Sequence, residues 1–312
     1  MGTDAAGHVA RSTIRPYSET LNVTRDSAPM RTFLRTADGV AIDSVYEPGG
    51  VVYDPGKVVY ERTDEGSRNS SGNGIPDVSR GLVFVIAHGF TGDADRPHVR
   101  RVARVFARYG AVVTFSFRGH GRSGGRSTVG DREVLDLAAA VAWARELGHT
   151  RVVTVGFSMG GSVVLRHAAL DGGGADAGGP DAGGVDAVVS VSAPARWFYR
   201  GTAPMRRLHW LVTRPSGRLV GRYGLRTHIH HRQWDPVPLS PVEAVPRIAP
   251  TPLLVVHGDQ DAYFPLDHPR MLADAAGEHG ELWVEHGMGH AENAAPEPLL
   301  RRIGDWAVAR AG

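Results

Sequence analysis

The chain contains no cysteine. Disulfides, thiolate metal sites and a cysteine nucleophile are therefore excluded. Lysine is almost as scarce: Lys57 is the only one, and arginine supplies every other Lys/Arg position. In practice this rules out Schiff-base chemistry and a P-loop. No apolar run approaches the ~18 residues of a membrane span. Residues 1–30 lack the continuous apolar stretch that marks a secretory signal. A cytoplasmic protein with no membrane span is the expectation. Acidic residues are missing from one long stretch. Residues 187–234 contain none, where the chain average of 33 acids in 312 residues would place about five. The same stretch carries nine arginines: Arg196, Arg200, Arg206, Arg207, Arg214, Arg218, Arg222, Arg226 and Arg232. The whole protein has a net charge of only +2, so the asymmetry is local. It points to an anionic substrate group, an anionic membrane surface or plain solvation. No nucleic-acid-binding motif accompanies it, so nucleic acid is not an expected partner.

What is present is enough for a substantial core: 312 residues, of which 42% are hydrophobic. That length fits one large domain or one domain with an insert. Residues 1–29 are polar and aperiodic and read as a loose N-terminal arm. Residues 31–46 alternate around Ala37-Asp38-Gly39, as a hairpin does. Residues 49–80 have little periodicity. Within them, Asn73-Gly74-Ile75-Pro76-Asp77 resembles a calcium-repeat loop but lacks its run of aspartates. From Gly81 onward short apolar strands alternate with helical patterns: strands at 82–87, 111–117, 152–155, 185–191, 253–256 and 282–285, helices at 97–109, 131–147, 159–170, 266–276 and 296–309. This alternation predicts a mainly parallel sheet with right-handed crossovers. Residues 171–184 are low-complexity Gly/Ala/Asp and read as a surface loop. The alternation stops for some sixty residues before 253. There, 205–213 reads as a short amphipathic helix stopped by Pro215.

One stretch carries chemistry in its local context. The β-branched strand at 152–155 runs into Gly156-Phe157-Ser158-Met159-Gly160, and a helical pattern follows at once. Strand, sharp turn and helix form the setting of a G-x-S-x-G nucleophile elbow. The turn leaves no room for neighbouring β-carbons, hence the two glycines. It holds the Ser158 hydroxyl above the sheet, with the Met159 N–H facing the same space. A serine needs a base, and the base an orienting carboxylate. His257-Gly258-Asp259-Gln260-Asp261 offers the carboxylate, as Asp259 or Asp261, and Gly287-Met288-Gly289-His290 offers the base. His88, Ser158, Asp261 and His290 all fall just past strand ends, which brings them to one sheet edge.

Taken with His88-Gly89-Phe90 and Arg118-Gly119-His120-Gly121-Arg122-Ser123, these motifs make the chain resemble the α/β-hydrolase family, in its esterase, lipase and aminopeptidase-like branch. The resemblance covers roughly 31–195 and 250–311. It implies an α/β-hydrolase fold, with a mainly parallel central sheet, helices on both faces and a small cap insert. The implied division is a core at 30–195 and 250–312 with a cap at 196–249. The resemblance also implies Ser158 as nucleophile, His290 as base and then acid, and Asp261 as orienter. The oxyanion hole it implies consists of the N–H groups of Phe90 and Met159. The family's spacing favours Asp261 over Asp259, which then caps a turn.

Several histidines have quieter readings. His88 is expected to hold the oxyanion loop, and His120 and Arg122 to brace the turn after the fourth strand. His257 and His286 are expected to pack beside the site. The run His228-Ile229-His230-His231 has metal-like spacing, but no nearby carboxylate precedes Asp235 and no metal is expected there. No cofactor is expected either. In the cap, Trp197, Phe198 and Trp210 are candidate substrate contacts, though such aromatics also build a cap's own core. The leading expectation is a serine hydrolase cleaving a carboxylic ester of a small acyl substrate, which the arginines would allow to be anionic. Thioesterase, peptidase or acyltransferase chemistry on the same three residues is the alternative, as is a non-catalytic ligand-binding protein of the same fold.

Overall fold

The computed structural model describes residues 29–49, 81–171 and 184–311. The N-terminal arm, the loop at 49–80 with its calcium-like motif and the Gly/Ala/Asp loop at 171–184 lie outside the described residues except at their edges.

The strands are β1 (Met30–Arg35), β2 (Ala41–Glu47), β3 (Leu82–Ala87), β4 (Ala111–Phe115), β5 (Arg151–Phe157), β6 (Ala187–Val191), β7 (Leu253–Gly258) and β8 (Gly280–Glu285). They form one sheet in the order β1-β2-β4-β3-β5-β6-β7-β8. β1 and β2 are the expected hairpin, and β2 joins β4 antiparallel. Every pair from β4 across to β8 is parallel. The helices are α1 (Pro97–Phe106), α2 (Glu133–Glu146), α3 (Met159–Asp171), α4 (Ala203–Thr213), α5 (Pro215–Gly224), α6 (Pro241–Ala244), α7 (Asp267–Ala276), α8 (Ala291–Ala294) and α9 (Glu297–Arg310).

Parallel strands are covered on both faces, which is why they read as unbroken apolar runs in the sequence. β3 shows the consequence. Val83, Val85 and Ala87 join a core that includes residues of α2, α3, α6 and α7. Leu82, Phe84 and Ile86 join a second core with residues of α1, α8 and α9. The sheet thus separates two apolar layers. β4 and β5 flank β3 on opposite sides, so the strand order reverses there. A crevice opens outside the carboxyl ends of the strands at such a reversal.

Between β6 and β7 the structure holds three helices, α4, α5 and α6, where the sequence pattern predicts one. Pro215 both stops and starts a helix: the residue before it, Arg214, is extended and ends α4, and Pro215 opens α5 at a position where its missing N–H costs no hydrogen bond. The pattern was obscured because Gly217 and Gly221 stand where apolar side chains would otherwise mark the buried face. A β-carbon on Gly217 would lie 2.4 Å from the Trp210 carbonyl oxygen, so α5 meets α4 backbone to backbone.

Phe84 and Phe106 stack in the second core, ring centroids 4.8 Å apart, and both are fully buried. Phe84→Ala is expected to lower unfolding free energy by ~3–5 kcal/mol, read as a fall in urea midpoint. A loss below ~1 kcal/mol would show that this layer can collapse around the gap.

Candidate active site

β5 delivers Ser158 at its carboxyl end, and α3 begins on the next residue. A β-carbon on Gly156 would lie 2.2 Å from the Gly160 carbonyl oxygen, and one on Gly160 would lie 2.1 Å from that of Ala87. Only glycine fits either position. Between them Ser158 is held at φ +51°, a left-handed conformation uncommon for a residue with a side chain. Its N–H donates to the Val191 carbonyl at 2.8 Å, which ties the turn to β6.

The loops after β7 and β8 bring two more side chains to this point. His290 Nε2 lies 2.9 Å from Ser158 Oγ. His290 Nδ1 lies 2.7 Å from Asp261 Oδ2. The other carboxylate oxygen, Asp261 Oδ1, accepts the backbone N–H groups of Tyr263 at 2.8 Å and Phe264 at 3.1 Å. Burial works against ionising this carboxyl, but the bond from His290 and its charge, with the Tyr263 N–H, outweigh burial and hold Asp261 below the usual carboxylate value. Asp259 does something else. It accepts the Gly287 N–H at 2.7 Å and meets His286 Nδ1 at 2.7 Å, clasping the loop after β8 at the surface.

His257 Nε2 lies 2.9 Å from the Phe264 carbonyl oxygen and 3.6 Å from Asp261 Oδ2, so it packs behind the acid. His286 is 96% exposed. His88 is enclosed at the end of β3. Burial, then the neighbouring His120, push it down to about 3, so the ring is neutral. Its Nε2 accepts the Phe117 N–H at 3.0 Å, which leaves Nδ1 to donate to the Gly89 carbonyl at 2.7 Å. His88 therefore links the ends of β3 and β4 and shapes the turn that carries Phe90. His120 is buried beside it, but Arg122 is exposed. The arginine that braces the turn after β4 is Arg118, paired with Asp38 and the buried Asp136.

Residues 82–302 match the alpha/beta hydrolase family. The chain belongs to that family. It is 30% identical over 266 residues to a monoacylglycerol lipase of Mycolicibacterium smegmatis, covering 75% of this chain and 90% of the relative. Its fold is similar to that of an esterase from Pyrococcus furiosus, with a TM-score of 0.63, 20% identity and coverage of 91% of this chain and 94% of the other. It is also similar to Est1E from Butyrivibrio proteoclasticus with ferulic acid bound, with a TM-score of 0.55, 17% identity and coverage of 89% and 98%.

Three residues of this hydrolase that the sequence did not mark also shape the site. The buried Glu292, two residues after His290, accepts the Gly89 N–H at 2.9 Å. It joins the loop carrying His290 to the loop carrying Phe90. Tyr263 stacks on the His290 ring with centroids 4.2 Å apart. Glu133 accepts five hydrogen bonds from residues 127–130 and fixes the cavity wall opposite. A single acid in a motif-free stretch carries no sequence signal. For Glu292, a carboxylate two residues after the Gly289-His290 pair was the available hint.

A cavity of about 360 Å³ opens beside Ser158 and is lined in part by Phe90, Met159, Trp197, Phe198 and Trp234. That lies at the small end of the range for small-molecule sites. Trp197 and Trp234 meet edge to face at 5.1 Å, so the same rings form both a wall and a small apolar cluster. Trp210 is not among the lining residues. α4 turns Met205, Leu208, His209 and Val212 to the cavity, and Trp210 lies on another face, 46% exposed. Of the histidine run, His230 and His231 line the cavity and His228 does not. Among the described residues, no group of three or more metal-ligating side chains is assembled, and no helix is long and apolar enough to cross a membrane.

The depressed Asp261 has a consequence for stability. Its folded value lies below the unfolded ~3.9, so its contribution is complete above that pH and is lost as pH falls through the folded value. The stability gap between wild type and Asp261→Asn should therefore narrow as pH drops below ~4. A gap that stays constant from pH 7 to pH 3 in urea titrations would contradict the assignment of an ionised, bonded Asp261.

Proposed function

We propose that this chain is a serine hydrolase that cleaves a carboxylic ester through an acyl-enzyme on Ser158. The observation that carries the reading is the single imidazole bridging a hydroxyl and a buried carboxylate, at 2.9 Å and 2.7 Å. His290 takes the Ser158 proton as Oγ attacks the ester carbonyl carbon. The carbonyl oxygen becomes an oxyanion, received by the N–H groups of Phe90 and Met159. Met159 is the first residue of α3, whose positive end favours that charge. Losing one such donor costs ~2.7–4 kcal/mol of barrier. The tetrahedral species collapses, the alcohol leaves with the proton from His290, and the acyl group stays on Ser158. Water then attacks with His290 again as base, and the acid and free serine are released. Asp261 keeps Nδ1 protonated, so Nε2 is the nitrogen that accepts.

Ester rather than amide cleavage is supported by the relatives, whose names include esterases and a monoacylglycerol lipase. Residues 196–249 act as a cap that closes the cavity above Ser158 and selects the substrate. Trp197 and Phe198 are its substrate contacts, since both line the cavity.

With a short-chain nitrophenyl ester, Ser158→Ala should lower turnover by ~10⁶ while folding normally. Asp261→Asn should lower it by ~10⁴. Asp259→Asn should have a much smaller effect, because Asp259 bonds Gly287 and His286 instead of His290. Near wild-type turnover in purified Ser158→Ala, or a reversed rank of the two aspartates, would overturn the reading.

A further inference from the structure

We propose that the cavity wall formed by α5 and residues 230–232 binds an anionic group, a carboxylate or a phosphate, carried by the substrate away from its scissile ester. This rests on the serine-hydrolase reading and names the class of ester it serves. The first observation is compositional. Arg196, Arg200, Arg218 and Arg232 line the cavity, and no aspartate or glutamate does. Of the nine arginines in the acid-free stretch, the structure thus selects four. Arg206 and Arg207 are not among them, and Arg206 instead donates to the carbonyls of Arg200 and Gly201.

The second observation is that three of these four cations, Arg200, Arg218 and Arg232, lack a counter-charge among the described residues. Arg196 is paired with Asp267 at 2.8 Å. Among the described residues Arg218 meets only the carbonyls of Val212 and Thr213, through one of its terminal nitrogens. Arg200 and Arg232 form no ion pair among the described residues. His230 and His231 stack beside them, centroids 5.0 Å apart. Desolvation, and then the charges of His230, Arg232, Arg126 and Arg218, lower His231 below its ordinary value. The buried carboxylate of Glu133, bonded to the lining residues Ser127, Thr128 and Val129, has its oxygens occupied by donors from residues 127–130. Asp235, which follows Trp234, is exposed and does not line the cavity.

The third observation is that the wall is fixed. The Ser127 N–H donates to the His228 carbonyl at 2.7 Å, the His228 N–H to the Gly119 carbonyl at 2.7 Å, and the His230 N–H to the Ser127 carbonyl at 2.8 Å. The Trp234 indole N–H donates to the Thr128 carbonyl at 2.7 Å. Segment 227–234 is thereby sewn to the turn after β4. Arg218 is half-buried and Arg232 exposed; cations lining one concave, partly apolar site repel one another, and an anion relieves that repulsion. Guanidinium forks match carboxylate and phosphate oxygens in pairs, so contact adds direction to attraction.

Binding to the Ser158→Ala protein, which does not depend on turnover, separates this proposal from the hydrolase reading. Calorimetry would compare monoethyl adipate with ethyl hexanoate, and butyryl-glycerol phosphate with butyrylglycerol. The first pair tests a carboxylate on the acyl side and the second a phosphate on the alcohol side. At least one anionic member should bind ~10-fold tighter than its neutral partner, about 1.4 kcal/mol. That preference should collapse in Arg218→Gln/Arg232→Gln, or in Arg232→Gln alone if the double variant fails to fold. Equal affinities within both pairs would overturn the proposal. So would a preference abolished by salt but untouched by the substitutions, since only a diffuse field would then be acting. Absence of ester turnover by the wild-type enzyme would count against Ser158 chemistry and leave the affinity ratio as the measure of the anion site.

Discussion

Backbone pressed against backbone around the turn after β5 is the constraint on which the site depends. Gly156 and Gly160 leave no space for a methyl group, and Gly160 is also in contact with the end of β3. This contact lets β5 reverse into α3 within one residue. It also forces Ser158 into a left-handed conformation, a strain of ~1–3 kcal/mol that the surrounding parallel sheet offsets. The Ser158 side chain then stands at the carboxyl edge of the sheet, where the loops after β3, β7 and β8 converge. Glu292 and His88 hold those loops in register: one binds the Gly89 N–H, and the other bonds the Gly89 carbonyl and the Phe117 N–H. The site is rigid because each of its loops is bonded to another loop as well as to its own strand.

How much of this the sequence disclosed follows from where each signal originates. Strands β3 to β7 were legible because burial on both faces leaves unbroken apolar runs. The α/β architecture then followed from their alternation with helices. Ser158, Asp261 and His290 were legible as a set because each sits beside glycines at a strand end, and the structure brings the three within hydrogen-bond reach. The choice between Asp259 and Asp261 was not open to periodicity; the family resemblance favoured Asp261, the aspartate the structure places on His290. α5 escaped notice because glycines replaced the apolar residues on its packing face. Glu292 and Tyr263 escaped because bonding across more than a hundred residues, or stacking of a ring on an imidazole, leaves no local pattern; Glu133 bonds within six residues, but a lone acid in a motif-free stretch carries no signal. Trp210 was grouped with the cavity aromatics on composition, but the helical period turns it away.

The region between β6 and β7 sets the character of the site. It puts tryptophan rings and arginines on the same cavity, with no carboxylate between them. Its segment around Thr227 and Ile229 is anchored to the turns after β4 through short bridges at His120–Thr227 and Ser127–Ile229, while α6 buries Ala244 in the first core. In the proposed reading, chemistry rests on the scaffold and selection on this insert, a division by which one fold serves many substrates.

The central claim is that Ser158, activated by His290, is the nucleophile. Peptide mapping by mass spectrometry after reaction with a fluorophosphonate tests it most directly. The account predicts a single phosphonyl adduct on Ser158, absent from a folded His290→Ala protein. Ser162 also lines the cavity, with its buried hydroxyl unpartnered, and is the natural rival. An adduct on Ser162, or full labelling of Ser158 without His290, would contradict the account.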